Sequence, residues 1–117
     1  MTDKKHIGNK GEELAVNFLF ANGYDVLHRN YRIRRAEVDI IAKHNSHLVF
    51  FEVKTRKNVD YGYPEAFVSE AQQERIHSVA EEYVINIGWK GEIRFDILAI
   101  VWDGSNEPII EHFEDAF

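Results

Sequence analysis

Apolar residues recur along the chain with a helical period in two segments, at about 10–22 and 69–87. Gly23 and Gly88 follow these segments directly, at the position where a left-handed residue ends many helices. Five further segments are rich in β-branched and aromatic residues and predict strands at 24–28, 36–43, 47–56, 92–102 and 109–113. The predicted order is therefore αβββαβ(β), and a length of 117 residues predicts a single domain that covers residues 1–117.

The segment at 47–56 carries large apolar residues at consecutive positions, which is typical of a strand that is buried on both faces. Because side chains alternate along a strand, Glu52 and Lys54 lie on one face of it. A polar turn joins this strand to the preceding one, so the two are predicted to form a hairpin. The second helix then crosses the sheet and places the strand at 92–102 parallel to the one at 47–56. These features predict an α/β fold with a mixed central sheet.

The absence of cysteine excludes disulfides, thiolate zinc sites and a cysteine nucleophile. The first residues, MTDKKHIGNKGEE, have no apolar core and do not resemble a signal peptide. The longest apolar runs are much shorter than the roughly 20 residues that span a bilayer. We therefore expect a cytoplasmic protein that has no membrane partner.

The net charge of −6 conceals an uneven distribution along the chain. Residues 1–59 contain 11 basic and 7 acidic residues, whereas residues 60–117 contain 3 basic and 13 acidic residues. Phosphate binding requires local positive charge rather than a basic total. Two short segments supply it and are predicted to bind nucleic acid: Arg29, Arg32, Arg34 and Arg35 in the first, Arg56 and Lys57 in the second. The alternative is a solvated basic surface, but both segments lie close in sequence to the candidate chemistry.

Two carboxylates and an ammonium group are candidates for a metal-dependent site. Asp39 lies in the first strand of the hairpin, and Glu52 and Lys54 lie two residues apart in the second. If the pairing aligns them, the two acids repel each other by about 4 kcal/mol at roughly 4 Å and an effective dielectric of about 20. A divalent cation offsets this repulsion better than Lys54 alone, and hard oxygen ligands suit Mg²⁺ or Mn²⁺. Such a site would cleave a phosphodiester, with Lys54 orienting the water or neutralising phosphate charge.

Each of these candidates has an alternative interpretation. An isolated Glu-Val-Lys sequence is often a simple cross-strand ion pair, although its flanks here are strongly apolar. Glu12 is the third candidate acid, near Gly8 and Gly11, which allow close backbone approach. Its spacing from Asn9 also fits a capping box, in which Glu12 would only bind backbone donors. Glu37 is either an outer metal ligand or a surface acid.

The candidate site residues belong to a set of five short motifs that are distributed over nearly the whole chain. The motifs are Gly8-x-x-Gly11-Glu12-x-x-Ala15, Asn30-Tyr31-Arg32, Glu37-Val38-Asp39-Ile40-Ile41-Ala42, Phe51-Glu52-Val53-Lys54-Thr55-Arg56 and Arg94-Phe95-Asp96. Through them the chain resembles the YraN-like bacterial family of predicted endonucleases, a branch of the restriction-endonuclease-like superfamily that is similar to the Holliday-junction resolvases. Two positions depart from the family pattern: Ala36 stands where Gly is expected, and Gln72 where the second helix usually carries Lys.

The resemblance implies a three-layer α/β/α core around the mixed sheet. It implies Glu12, Asp39, Glu52 and Lys54 as the active-site set, with the Val53 carbonyl as an extra metal ligand beside Asp39 and Glu52. It also implies DNA as the substrate class, and a homodimer, because junction resolvases cut two strands symmetrically. The expected function is a Mg²⁺- or Mn²⁺-dependent DNA endonuclease that acts on branched or damaged DNA.

Two other functions stay open. One is a catalytically silent nucleic-acid-binding module, which the weak positive potential and Gln72 favour. The other is a structural protein whose acidic C-terminal half docks on a basic partner. The presence of all four matched residues favours the enzyme, because a decayed site would usually have lost at least one of them.

Two further features lie outside this set. We expect Asp96 to form an ion pair with Arg94 at an outward or sheet-end position. Tyr61 and Tyr63 lie in a predicted loop after the strand at 47–56, where they would stack on bases or pack on the core.

Overall fold

The computed structural model describes residues 4–58, 68–105 and 107–117, with side chains from Lys10 onward. Its elements are α1 (Lys4–Ala21), β1 (Asp25–Ile33), β2 (Ala36–His44), β3 (His47–Arg56), α2 (Glu70–Ile87), β4 (Glu92–Val101) and β5 (Ile109–Phe113). The bounds of β3 and β5 equal those predicted, and β2, α2 and β4 differ from prediction by one residue at one end. Tyr61 and Tyr63 lie outside the described residues.

In the described part of the chain, five strands form one mixed sheet in the order β1-β2-β3-β4-β5. β1, β2 and β3 are antiparallel neighbours, β3 and β4 are parallel, and β5 runs antiparallel to β4. α2 lies between the two parallel strands in sequence, as a crossover connection requires. The predicted order is confirmed, including the last strand.

The two helices cover opposite faces of the sheet and create two core clusters. The α1-side cluster consists of Ala15, Leu19, Tyr24, Ile40, Ala42, Val49, Phe51, Leu98 and Ile100. The α2-side cluster consists of Val38, Ile41, Leu48, Phe50, Ile76, Val79, Ala80 and Tyr83. β3 contributes large residues to both clusters, so it is the doubly buried middle strand that its sequence predicted. The predicted α/β/α fold class is therefore confirmed.

Local signals account for three of the helix ends. The Ser69 hydroxyl accepts a hydrogen bond from the Gln72 backbone N–H at 3.1 Å and caps the start of α2. Gly88 and Gly23, with φ of 67° and 83°, follow α2 and α1 in the left-handed conformation. Within the described residues, neither helix contains an apolar stretch long enough to cross a membrane.

The start of α1 differs from prediction. The helix begins at Lys4 rather than at about residue 10, because its first turns lack the apolar periodicity from which the rest was predicted. Asn9 therefore lies inside the helix and cannot be its N-cap. The capping-box interpretation of Glu12 is wrong for this reason.

β1 is longer than the predicted strand at 24–28, because it continues to Ile33 along one edge of the sheet. Most of its residues are exposed, so the run lacks the apolar alternation that marks a half-buried strand. The register between β1 and β2 also shifts once, which interrupts the period of two.

Candidate active site

The hydrogen-bonded pairing of β2 with β3 ends part-way along both strands. Its last pair is Ile40 with Phe51, although both strands continue beyond it. Beyond that pair a side chain bridges the strands, because the Asp39 Oδ2 accepts a hydrogen bond from the Val53 backbone N–H at 2.8 Å. β2 and β3 therefore separate at Asp39, and a carboxylate occupies the space between them.

The backbone of β2 turns at the same point. In a regular strand, residues two positions apart share a face. Val38 and Ile40 do not, because Val38 packs in the α2-side cluster and Ile40 in the α1-side cluster. On the neighbouring strand, Asn30 has a positive φ of 51°. Asn30 lies opposite Asp39, between two residues of β1 that pair with Ile40 and Val38. Both strands are thus distorted where the carboxylate points toward β3.

Glu52 forms an acid pair with Asp39. Glu52 is only 6% exposed, and the Asp39 carboxyl lies within hydrogen-bonding reach of it. Burial, and then the hydrogen bond and negative charge of Asp39, raise the pKa of Glu52 to about 9. Lys54 and Gln72 act in the opposite direction but offset only part of this effect. The acid pair therefore favours a bound proton or cation over two free charges.

Lys54 lies beside the acid pair and contacts α2. Its Nζ donates a hydrogen bond to the Gln72 Oε1 at 3.4 Å. Gln72 also lies close enough to Glu52 to lower its pKa, so Glu52 and Lys54 face the same helix, as their spacing of two predicts. α2 thus brings a fourth residue, Gln72, to the site from the first turn after its N-cap, Ser69.

The donor set suits a hard cation. The Val53 carbonyl points to the same edge of β3 as the Val53 N–H, which bonds Asp39, because both groups of one strand residue face one neighbour. Among the residues whose placement is described, no three or more His, Cys, Asp or Glu side chains are grouped to hold a metal ion. Mg²⁺ commonly binds only one or two carboxylates and completes its shell with waters and substrate phosphates. Asp39, Glu52 and the Val53 carbonyl fit that kind of site.

Glu12 lies on α1, near the end of β3 that carries Lys54. A Cβ on the preceding residue, Gly11, would lie 2.1 Å from the Thr55 Oγ1, so glycine allows α1 to approach the end of β3 closely. The Glu12 Oε2 accepts a hydrogen bond from the Asn30 Nδ2 at 3.3 Å. Since Asn30 lies opposite Asp39 in the register of β1 with β2, this bond connects Glu12 to the distorted part of β1.

The predicted nucleic-acid-binding residues lie at the same end of the sheet, because β1 and β3 end where β2 begins. Arg29 and Arg32 lie in β1, Arg34 and Arg35 in the turn before β2, and Arg56 and Lys57 at the end of β3. The antiparallel order of the first three strands thus brings both basic segments to the acid pair.

Some of these basic residues already have partners. The Arg32 Nε donates to the Glu37 Oε2 at 3.2 Å, which favours the surface-acid interpretation of Glu37. Arg34 pairs with Glu82 of α2 at 2.9 Å. The Arg56 Nη1 donates to the neighbouring Thr55 carbonyl at 2.9 Å. Exposed ion pairs contribute only about 0–1 kcal/mol, so they leave Arg32 and Arg34 able to exchange partners.

Asp96 is not at an outward position, contrary to the sequence-based expectation. It is fully buried and accepts hydrogen bonds from Arg94 at 2.8 Å, from the Asp115 N–H at 2.9 Å, and contacts the His112 Nε2 at 2.6 Å. Burial alone would raise the pKa of Asp96, but its bonds to His112, Arg94 and Asp115 outweigh burial and lower it. The ion pair with Arg94 is confirmed. Its burial results from the packing of the C-terminal residues on β4, which no local pattern reports.

The model of the Uncharacterised protein family UPF0102 matches residues 11–100, most of the chain. The chain belongs to the UPF0102 family. UPF0102 proteins from Flavobacterium psychrophilum, Dictyoglomus turgidum and Rhodococcus jostii are 44%, 44% and 42% identical to it. These alignments cover 100%, 98% and 95% of this chain and 98%, 99% and 95% of the relatives. The resemblance to the YraN family is confirmed at this level.

The UPF0102 match covers the whole candidate site. It begins at Gly11, beside Glu12, and includes the acid pair, Lys54 and Gln72. It ends before β5 and so excludes His112 and Asp115, the C-terminal partners of Asp96. Sequence analysis did not assign Asn30 to the site. The available signal was its residue type, because Asn adopts a positive φ more readily than most residues.

Proposed function

We propose that this UPF0102 protein is a metal-dependent endonuclease that hydrolyses phosphodiester bonds in DNA. The observation that carries the proposal is the acid pair of Asp39 and buried Glu52, beside Lys54, where β2 and β3 separate. Two neighbouring carboxylates in a buried place destabilise a protein unless a cation compensates them. Strongly perturbed groups of this kind cluster at functional sites.

The topology supports the same proposal. A mixed sheet between two helix layers, with Asp39 on β2 and Glu52 and Lys54 on β3, is compatible with the restriction-endonuclease-like superfamily. One fold hosts many functions, so the site rather than the fold supports the activity.

The cofactor that we propose is Mg²⁺ or Mn²⁺, held by Asp39, Glu52 and the Val53 carbonyl. When bound, such an ion supplies a Lewis acid that neutralises charge on phosphate oxygens and makes water more acidic. Because its pKa is raised to about 9, Glu52 holds a proton at neutral pH and must release it before its carboxylate binds a cation.

The remaining side chains bind and orient the substrate. In the hydrolysis a water oxygen bonds to phosphorus and gives up a proton, the bond from phosphorus to one deoxyribose oxygen breaks, and that oxygen gains a proton. The Lys54 ammonium would stabilise the negative charge that develops on the phosphate. Gln72 holds Lys54 beside the acid pair, and Glu12 joins α1 to β1 through its hydrogen bond with Asn30.

A second candidate is a catalytically silent module that binds DNA on the same surface. It is favoured by Gln72, a neutral residue at a position where the family resemblance predicts Lys. This candidate predicts salt-sensitive DNA binding without cutting under any metal. For either function we propose a cytoplasmic homodimer, by similarity to junction resolvases.

The test compares the wild type with Asp39→Ala on plasmid, linear and four-way-junction DNA, in Mg²⁺ and in Mn²⁺. We expect the wild type to cut and Asp39→Ala to cut at least about 100-fold more slowly, because it lacks one cation ligand. Asp25→Ala is the matched control, since Asp25 is an exposed aspartate at the other end of β1. Equal cutting by the wild type and Asp39→Ala would refute the nuclease. Absence of cutting with every substrate would favour the silent module.

A further inference from the structure

A basic groove lies between α2 and the turn that joins β1 to β2. Arg34 and Arg35 line it from the turn, and Arg75, Ser78 and Glu82 line it from α2. Its volume of about 230 Å³ is several times the roughly 30 Å³ that one water occupies in the liquid. The groove is therefore large enough for a phosphate group with part of its hydration shell.

The groove carries surplus positive charge. Its three arginines face one acid, Glu82, which pairs with Arg34 at 2.9 Å. The side chains of Arg35 and Arg75 are exposed and form no hydrogen bond or ion pair with any residue that the structure describes. Two guanidinium groups are thus available to an anion, and guanidinium binds phosphate oxygens in a bidentate geometry.

Arg75 stands out against the acidic half of the chain. Residues 60–117 contain only three basic residues: Arg75, Lys90 and Arg94. Arg94 is largely buried against Asp96, and Lys90 follows the end of α2. Arg75 is the only Lys or Arg of α2. It is therefore the residue of 60–117 that adds positive charge to the basic surface formed by residues 1–59.

The turn itself is unusual. Arg34 has a positive φ of 56°, a conformation that Gly or Asn adopts at lower cost in a two-residue hairpin turn. An arginine at such a position costs about 1 kcal/mol or more in local strain. Backbone strain of this kind often occurs at functional residues, and the Arg34 side chain lines the groove.

The groove and the candidate active site lie on the same two elements, α2 and β2. On α2, Arg75 lies three residues after Gln72, a rise of about 4.5 Å. On β2, Ala36 at the groove lies three residues before Asp39, about 10 Å along the strand. At about 3.4 Å of axial rise per nucleotide in one strand, these distances span roughly one to three nucleotides.

We propose that Arg35 and Arg75 form a second phosphate-binding site, which holds the nucleic-acid backbone one to three nucleotides from the bond to be cut. The inference rests on the proposed function for its substrate, but it concerns residues outside the acid pair, and it adds Arg75 of α2 to Arg35, which the sequence already predicts to bind nucleic acid. Such a contact would fix the register of the strand over Asp39 and Glu52 and would carry no base specificity.

The experiment measures binding of fluorescein-labelled duplex and four-way-junction DNA by anisotropy, with EDTA present so that binding is separated from cutting. The variants are Arg35→Gln, Arg75→Gln and their double, with Lys90→Gln as the matched loss of one exposed charge at the opposite end of α2. We expect the double variant to bind about tenfold more weakly, and its slope of log affinity against log salt to fall by about 1–2. Arg75→Lys should recover part of the affinity, and Lys90→Gln should match the wild type.

An unchanged affinity and salt slope in the double variant would overturn the second site, as would an equal loss in Lys90→Gln. If Asp39→Ala abolishes cutting while the double variant binds normally, the nuclease stands and the groove is rejected. If the double variant binds weakly although the wild type never cuts, the groove stands and the nuclease is rejected.

Discussion

Glu52 and Asp96 are two buried acids on the neighbouring strands β3 and β4, and their surroundings are opposite. Asp96 is fully buried among Arg94, His112 and a backbone N–H, and its pKa is lowered. Glu52 is 6% exposed, its neighbour is the carboxyl of Asp39, and its pKa is raised to about 9. Two similarly buried carboxyl groups therefore have pKa values shifted in opposite directions, because the groups around them differ in charge.

The difference separates an acid that stabilises the fold from one that destabilises it. The Asp96 network joins β4 to β5 and to the C-terminal residues, and all its members are compensated. For Glu52, Lys54 and Gln72 offset only part of the effect of burial and of Asp39. Substitutions at the two acids should consequently change stability in opposite directions.

The largest effect is expected for Asp96→Asn. Removal of the charge leaves the largely buried Arg94 with only the exposed Glu114, at 3.9 Å, as a counterion, which costs about 3–5 kcal/mol of stability. The midpoint of thermal or urea unfolding should fall clearly, while cutting per folded molecule well below that midpoint stays near wild type. Asp25→Asn, an exposed aspartate, is the control with little change. A midpoint equal to that of the wild type would show that the network is not compensated as described.

Glu52→Gln should have the opposite effect on the metal-free protein. The amide keeps the shape of Glu52 but removes the charge that burial and Asp39 disfavour, so stability at mildly alkaline pH should rise by about 1–2 kcal/mol. Cutting and the increase of the unfolding midpoint on Mg²⁺ addition should both be lost, because a cation ligand is lost.

The pH dependence sharpens this prediction for Glu52. Folding raises the pKa of Glu52 from 4.5 to about 9, so between these values the folded state binds one more proton than the unfolded state. Stability of the wild type should therefore fall as pH rises through this range, and Glu52→Gln should reduce that slope. Urea unfolding at several pH values, with EDTA, measures it. Parallel curves for the two proteins would contradict the raised pKa.

The smallest effect is expected for Gln72→Ala. The variant removes the amide that contacts Lys54 at 3.4 Å and so loosens the ammonium beside Glu52. We expect a loss of roughly tenfold in cutting rate with little change in the unfolding midpoint. Gln73→Ala, which alters the next glutamine of α2, serves as the control for helix stability. A rate equal to that of the wild type would exclude a positioning role for Gln72.

Much of this comparison could be predicted from short stretches of sequence. The alternation in β3 placed Glu52 and Lys54 on one face, and Val-Ile-rich β2 carried Asp39. The same approach failed for Asp96, because the partners that bury it, His112 and Asp115, lie 16 and 19 residues away in sequence. It also missed Asn30, which is exposed in an edge strand with little apolar alternation.

The sequence by itself determined the order of helices and strands, the helix ends at Gly23, Ser69 and Gly88, and the doubly buried character of β3. These features depend on residues within a few positions of one another, and short-range sterics and hydrogen bonds are enough to specify them. Only the tertiary structure decided where β2 separates from β3, which of two buried acids is compensated, and that Arg75 meets the turn before β2. Each of these depends on groups far apart in the chain, whose distances are set by packing of whole elements rather than by any local pattern.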